Sequence, residues 1–257
     1  MGKIIAVANQ KGGVGKSTTA INLVSCLSSL GKKVLLVDFD PQANSTSGYG
    51  ISREDIQYTV YNLIMGECTV NDATYSLDYP TVDIICSETN LAGAEIELSQ
   101  FEDKEYRLSN ALNLIKENYD YIFIDCPPSL SMITVNALTA ADSILIPMQA
   151  EYLALEGLAL LTNTVDLIHK SLNPKLEFEG IVFTMYDGRT KLSQEIVENV
   201  RQNLDVKIYE NFIPRNVRLA EAPSYGMPVN LYDHKSKGAK AYMALAEEFI
   251  ANEASAK

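Results

Sequence analysis

The stretch Lys11-Gly12-Gly13-Val14-Gly15-Lys16-Ser17 lies between an apolar run, Ile4-Ile5-Ala6-Val7-Ala8, and a segment in which Ile21, Val24, Leu27 and Leu30 recur every three residues. The run reads as a buried parallel strand, and the segment as a helix that Gly31 stops. Glycines between a strand and a helix let the backbone turn its N–H groups toward an anion. The helix start adds the positive end of its dipole. The stretch therefore reads as a phosphate-binding loop. Its usual form is G-x-x-x-x-G-K-[ST]. Here Gly15-Lys16-Ser17 close the motif as usual, but position 10 is Gln, and a second lysine, Lys11, precedes the Gly12-Gly13 pair. In such a loop Lys16 reaches the β- and γ-phosphates of a nucleotide and the Ser17 hydroxyl ligates Mg²⁺.

Outward from the loop, the alternation repeats. Lys33 to Asp38 reads as a second buried strand, completing a βαβ unit of about 35 residues. Val82–Cys86, Tyr121–Asp125, Ser143–Pro147 and Gly180–Met185 read as further strands. Helices are expected over residues 106–118, 153–171, 191–204 and 237–252. Residues 41–80 are the least regular part, with loops and short helices expected near the site. The whole implies an α/β P-loop NTPase fold: one domain over 1–257 with a mostly parallel, twisted sheet and helices on both faces.

Two acids complete the nucleotide site. Asp125 ends an apolar strand, where a Walker-B carboxylate would hold Mg²⁺ through water. Asp38 and Asp40 follow the second strand in Val37-Asp38-Phe39-Asp40-Pro41-Gln42. Carboxyl ends of parallel strands face the crevice where ligands bind.

Composition bounds the rest. Net charge is −12, which taken whole argues against nucleic-acid binding. Its distribution argues otherwise: residues 1–169 hold 9 Lys/Arg and 21 Asp/Glu, whereas residues 170–257 hold 12 of each. The last third can therefore present a local basic face. Cys26, Cys68, Cys86 and Cys126 form no C-x-x-C pair, so incidental thiols are expected rather than disulfides or a zinc site. His169 and His234 lack partners at ligand spacing. The first strand-like run starts at residue 4, so no leader peptide or N-terminal DNA-reading domain is expected, and no apolar run approaches a membrane span. A cytoplasmic protein is expected.

Four blocks together resemble one family. The Lys11–Ser17 loop is similar to the deviant Walker A motif of the ParA/MinD superfamily. Val37–Gln42 resembles its switch I, and Ile124-Asp125-Cys126-Pro127-Pro128-Ser129 its Walker B and switch II region. Ile213–Ser224 resembles a block of chromosomal ParA, or Soj, proteins. The resemblance implies a Mg²⁺-dependent ATPase in which ATP clamps two subunits face to face. Lys11 would then cross to the partner's phosphates, and Asp40 would position or activate the attacking water. Nucleotide contacts carry over to Lys11, Gly12, Gly13, Val14, Gly15, Lys16, Ser17, Thr18 and Pro214, the last in the adenine region. The ATP dimer would bind double-stranded DNA without sequence preference through Arg189, Lys191, Arg215 and Arg218. A ParB-type centromere-binding partner would stimulate an otherwise slow hydrolysis. The implied protein is cytoplasmic, nucleoid-associated and without a stable membrane anchor.

Other readings share the loop. A MinD-like ATPase on a membrane surface needs a basic amphipathic C-terminal helix, whereas Ala246–Glu253 is acidic. A protein like the nitrogenase iron protein needs paired cysteine ligands, and Cys86 lies in a strand-like run. A non-hydrolysing adaptor would not need Lys11, Asp40 and Asp125 together. A relative that positions a plasmid or a protein cluster stays open, because the partner chooses the cargo.

Overall fold

A computed structural model describes residues 2–78 and 81–255. The chain runs from β1 (Lys3–Val7) through the glycine loop into α1 (Lys16–Ser29) and β2 (Val34–Asp38). Then come α2 (Asn44–Gly48), α3 (Val60–Met65), β3 (Thr74–Asp78), β4 (Thr81–Ile85), α4 (Ala94–Leu98) and α5 (Arg107–Asn113). β5 (Tyr121–Asp125), α6 (Met132–Ala140), β6 (Ser143–Gln149), α7 (Tyr152–Ser171), β7 (Glu177–Thr184) and α8 (Lys191–Asn203) follow. The last part carries α9 (Val217–Glu221), a 3-10 turn over Ala222–Tyr225, α10 (Val229–Tyr232) and α11 (Lys237–Ser255).

The strands form one sheet in the order β3-β4-β2-β5-β1-β6-β7. All neighbours are parallel except β3, which pairs antiparallel with β4 at the edge. Within β1 the side chains alternate between two cores, as a period of two requires. Ile4 and Ala6 join the layer that α3, α5, α6, α7 and α8 cover, whereas Ile5 and Val7 join the layer under α1 and α11. Both faces are therefore dry, which is why β1, β2 and β5 are unbroken apolar runs. Phe249 of α11 anchors the second layer, edge-on to Tyr121 at 5.3 Å between ring centres.

The register explains the site. Val7, Asp125 and Asp38 are aligned across the carboxyl ends of β1, β5 and β2. β1 is flanked by β5 and β6, with β2 one strand further out, so the connections after β1 and β5 part at this edge. Such a switch point opens a crevice. The structure also differs locally from the expected elements. The helix expected over 106–118 ends at Asn113 and resumes as a 3-10 turn at Lys116–Asn118. The irregular stretch 41–80 contains α2, α3 and β3. The helix α6 was not legible in the sequence, because its 9 residues are apolar on nearly every side and show no period.

Candidate functional site

The glycine loop needs its glycines for conformation. Gly13 and Gly15 have φ of 73° and 87°, in the left-handed region. A Cβ on Gly15 would make only ordinary contact with Thr184, so the backbone angle, not lack of space, selects glycine there. Neighbours fix the loop's polar groups. Asn9 Nδ2 donates to the Pro147 carbonyl (2.8 Å), and Lys11 N donates to Asn9 Oδ1 (3.0 Å). Thr184 Oγ1 donates to the Val14 carbonyl (2.7 Å), and Gln149 Nε2 to that of Gly13 (3.1 Å). With those carbonyls turned to β6 and β7, the first amides of α1, which have no partner inside the helix, form an anion cradle.

Lys16 is buried, and its Nζ lies 3.4 Å from the Lys11 carbonyl oxygen. Burial lowers its pKa, and the charges of Asp125 and Asp40 oppose that shift. Asp38 and Asp125 are fully buried neighbours. Burial pushes both carboxyls up, and the Asp125 charge adds to the shift of Asp38. Hydroxyls counter this: Ser45 Oγ donates to Asp125 Oδ2 (2.7 Å), and Thr46 donates to Asp38 Oδ2 from both N and Oγ1 (2.7 Å each). Asp40 is buried, accepts from Gln42 N at 2.9 Å, and shares a cavity of about 440 Å³ with Gly12, Gly13, Lys16, Ser17 and Thr18.

The donor set suits a hard divalent cation. Ser17 and Asp125 offer oxygen ligands beside the cradle; the Ser17 hydroxyl lies near enough to Asp125 to lower its pKa, but the buried Asp125 Oδ1 makes no hydrogen bond of ordinary geometry among the described residues. An orphaned buried carboxylate oxygen is costly unless something engages it.

A second cavity of about 200 Å³ adjoins the first, sharing Gly15, Thr18 and Met185. Pro214 lies in its wall, where the bridge between Tyr186 and Pro214 joins the loop after β7 to the segment before α9. A phosphate-sized chamber continuous with a base-sized one is the layout a nucleotide needs.

Lys11 stands apart from this cluster. Its Nζ lies 2.7 Å from Glu151 Oε2, at the start of α7. The four cations assigned to DNA come from two adjacent segments, since Tyr186 N donates to the Ile213 carbonyl. Three are paired locally: Arg189 with Asp187 (2.6 Å), Lys191 with Glu195 (3.4 Å), and Arg218 with Glu221 (2.6 Å) and Asp233 (3.3 Å). Arg189 and Lys191 remain about nine-tenths exposed (90% and 89% of the side chain). Arg215 is exposed and also lines the mouth of the base-sized cavity, so it stands beside the nucleotide chamber as well as facing solvent.

Sequence reasoning missed Ser45, Thr46, Met185 and Glu151. Ser45 and Thr46 sit in a hydroxyl-rich run just after the Asp40 turn, which is a usable signal. Glu151 is 140 residues from Lys11, and no local pattern connects them. The four cysteines are free, and three are buried. Among the described residues no helix is long and apolar enough to cross a membrane.

The family model described as an AAA domain matches residues 2–178. The chain is 53% identical over 252 residues to the sporulation initiation inhibitor protein Soj of Bacillus subtilis, covering 98% of this chain and 100% of that one. It is 50% identical over 253 residues to the chromosome partitioning protein ParA of Caulobacter vibrioides, covering 98% and 95%. Among solved structures, cobyrinic acid a,c-diamide synthase from Mycobacterium smegmatis with bound ATP analogue and magnesium superposes with a TM-score of 0.87 at 32% identity. That match covers 100% of this chain and 98% of the other.

Proposed function

Since the chain belongs to the Soj/ParA family of chromosome-partitioning ATPases, we propose that residues 1–257 form one ATPase domain that works as a nucleotide-driven switch on DNA. One observation carries this reading: buried Lys16, Asp40 and the loop glycines line a single chamber beside the unpartnered oxygen of Asp125.

The cradle of Gly12 to Thr18 binds the phosphates of ATP, and Pro214 packs in the base chamber. Lys16 neutralises the β- and γ-phosphates. Ser17, and Asp125 through water, would hold Mg²⁺, which when bound offsets charge on the phosphates. Asp40 orients the attacking water and accepts its proton, a role that geometry at the chamber wall allows. Lys11 leaves Glu151 and reaches the phosphates of a second copy, as an arginine finger would. Hydrolysis is slow until a ParB-type partner completes the site. The homodimer doubles the cations of the 186–191 and 213–218 segments on one face, so an acidic chain grips DNA phosphates only with ATP bound. Cytoplasmic, nucleoid-associated localisation follows from that binding.

The test is retention of the purified protein on random-sequence duplex DNA with ATP, with ADP and without nucleotide, over a range of salt. Retention with ATP alone that falls steeply with salt supports the switch. No retention in any state, with ATP-dependent dimerisation intact, moves the cargo to a protein cluster or a membrane surface.

A further inference from the structure

The short helix α2 is tied down at both ends. At its start, Ser45 Oγ donates to Asp125 Oδ2, while Thr46 holds Asp38 and accepts from Ser87 N at 3.0 Å. Just past its end, the backbone contact between Gly50 and Gly226 leaves no room for a side chain. A Cβ on Gly48 would fall 2.5 Å from Ile21 Cδ1 of α1, and a Cβ on Gly226 would fall 2.5 Å from the Cα of Gly50. Gly50 and Gly226 both have positive φ, 72° and 64°. Backbone therefore rests on backbone, just past the 3-10 turn Ala222–Tyr225 that α9 and Arg218 lead into. Tyr49 OH, donating to the Ile21 carbonyl at 2.9 Å, fixes the helix laterally.

We propose that α2 is a mechanical link that carries occupancy of the cation site at Asp125 to residues 222–227, with Ser45 as the positioning residue at its start. The proposal rests on the nucleotide-site reading above. Oδ2 of Asp125 is taken by Ser45, which leaves Oδ1 as the oxygen for a hydrated cation. When Oδ1 is engaged, the carboxylate resets, and Ser45 keeps its bond only if α2 moves with it. Packing without slack passes such a shift on rather than absorbing it. The segment it reaches carries the exposed Tyr225, stacked on Tyr232 at 4.9 Å between ring centres, and adjoins Arg218. Cation binding is thereby felt next to a DNA-facing arginine within one subunit, before any dimer forms.

The chain contains no tryptophan, so Tyr225→Trp gives a single reporter. ADP with Mg²⁺ should change its emission beyond the effect of ADP alone. Ser45→Ala should lose that Mg²⁺-dependent part while calorimetry still shows ADP binding, and Ser45→Thr, which keeps a hydroxyl, should restore it. An unchanged response in Ser45→Ala overturns the link, as does a silent reporter in protein with Mg²⁺-ADP bound. Protein that binds no ADP in calorimetry overturns the nucleotide-site reading together with the link. Hydrogen exchange on the unmodified chain needs no variant: amides of 222–227 should slow with Mg²⁺-ADP relative to ADP alone, and equal rates overturn the link.

Discussion

Lys11 of the glycine loop is paired with Glu151 at 2.7 Å, although the two are 140 residues apart. The lysine assigned to a second subunit's phosphates is thus held by its own. The pair is part-exposed, so it contributes at most about 1 kcal/mol. A dimer holds two such pairs, so Glu151→Gln should release both lysines and raise ATP-dependent dimerisation by up to about 30-fold. Light scattering across a protein concentration series measures this; an unchanged dimerisation constant would mean that Glu151 does not restrain Lys11.

Lys16 and Asp40 should separate binding from turnover. Lys16→Ala removes the buried cation of the cradle and should abolish productive ATP binding. Asp40→Ala should leave ATP binding and dimerisation intact while lowering the hydrolysis rate by about 100-fold or more. Phosphate release and nucleotide binding, measured on the same preparations, decide both. Normal hydrolysis by Asp40→Ala removes Asp40 from the water-positioning role.

Arg189 is about nine-tenths exposed, and among the described residues its ion pair is with Asp187 in its own loop. Arg189→Glu should lose DNA retention in the ATP state and keep ATPase capacity. Arg189→Ala should weaken DNA binding and reduce the slope of log affinity against log salt by about 1 to 2, one phosphate contact in each subunit. Equal retention and slope in wild type and variants would take Arg189 out of the interface.

A polar network at the opposite pole of the sheet should govern acid stability. Glu179 is held by Lys3 (2.6 Å), Ser143 (2.7 Å) and Tyr209 (3.1 Å). Burial alone would raise its pKa, but these bonds outweigh it and hold the carboxyl below its ordinary value of 4.5. The unfolded chain therefore takes up the proton first on acidification. The stabilisation is present above about pH 4.5 and is lost as pH falls through the lower folded value. Glu179→Gln should cost about 2 kcal/mol at neutral pH and flatten the acid limb of a denaturation profile. A variant whose stability falls with acid as steeply as the wild type would show that other carboxylates control that limb.

The sequence alone determined the repeated strand and helix units, the glycine loop and the two strand-end acids. These features are local: short unbroken apolar runs against a period of three to four, a turn that needs positive φ, and a carboxylate where an apolar run stops. Lys16, Ser17, Asp38, Asp40 and Asp125 could be read because each sits at such a boundary. The tertiary structure alone decided what those boundaries meet. Sheet order and register aligned Asp38 with Asp125. Chain crossing set Glu151 against Lys11, and close backbone packing placed Gly50 on Gly226. The edge strand β3 and the helix α6 stayed hidden because their burial is set by neighbours rather than by their own period. Such contacts join residues far apart in the chain. Their energies depend on distance and burial, which exist only once the sheet has formed.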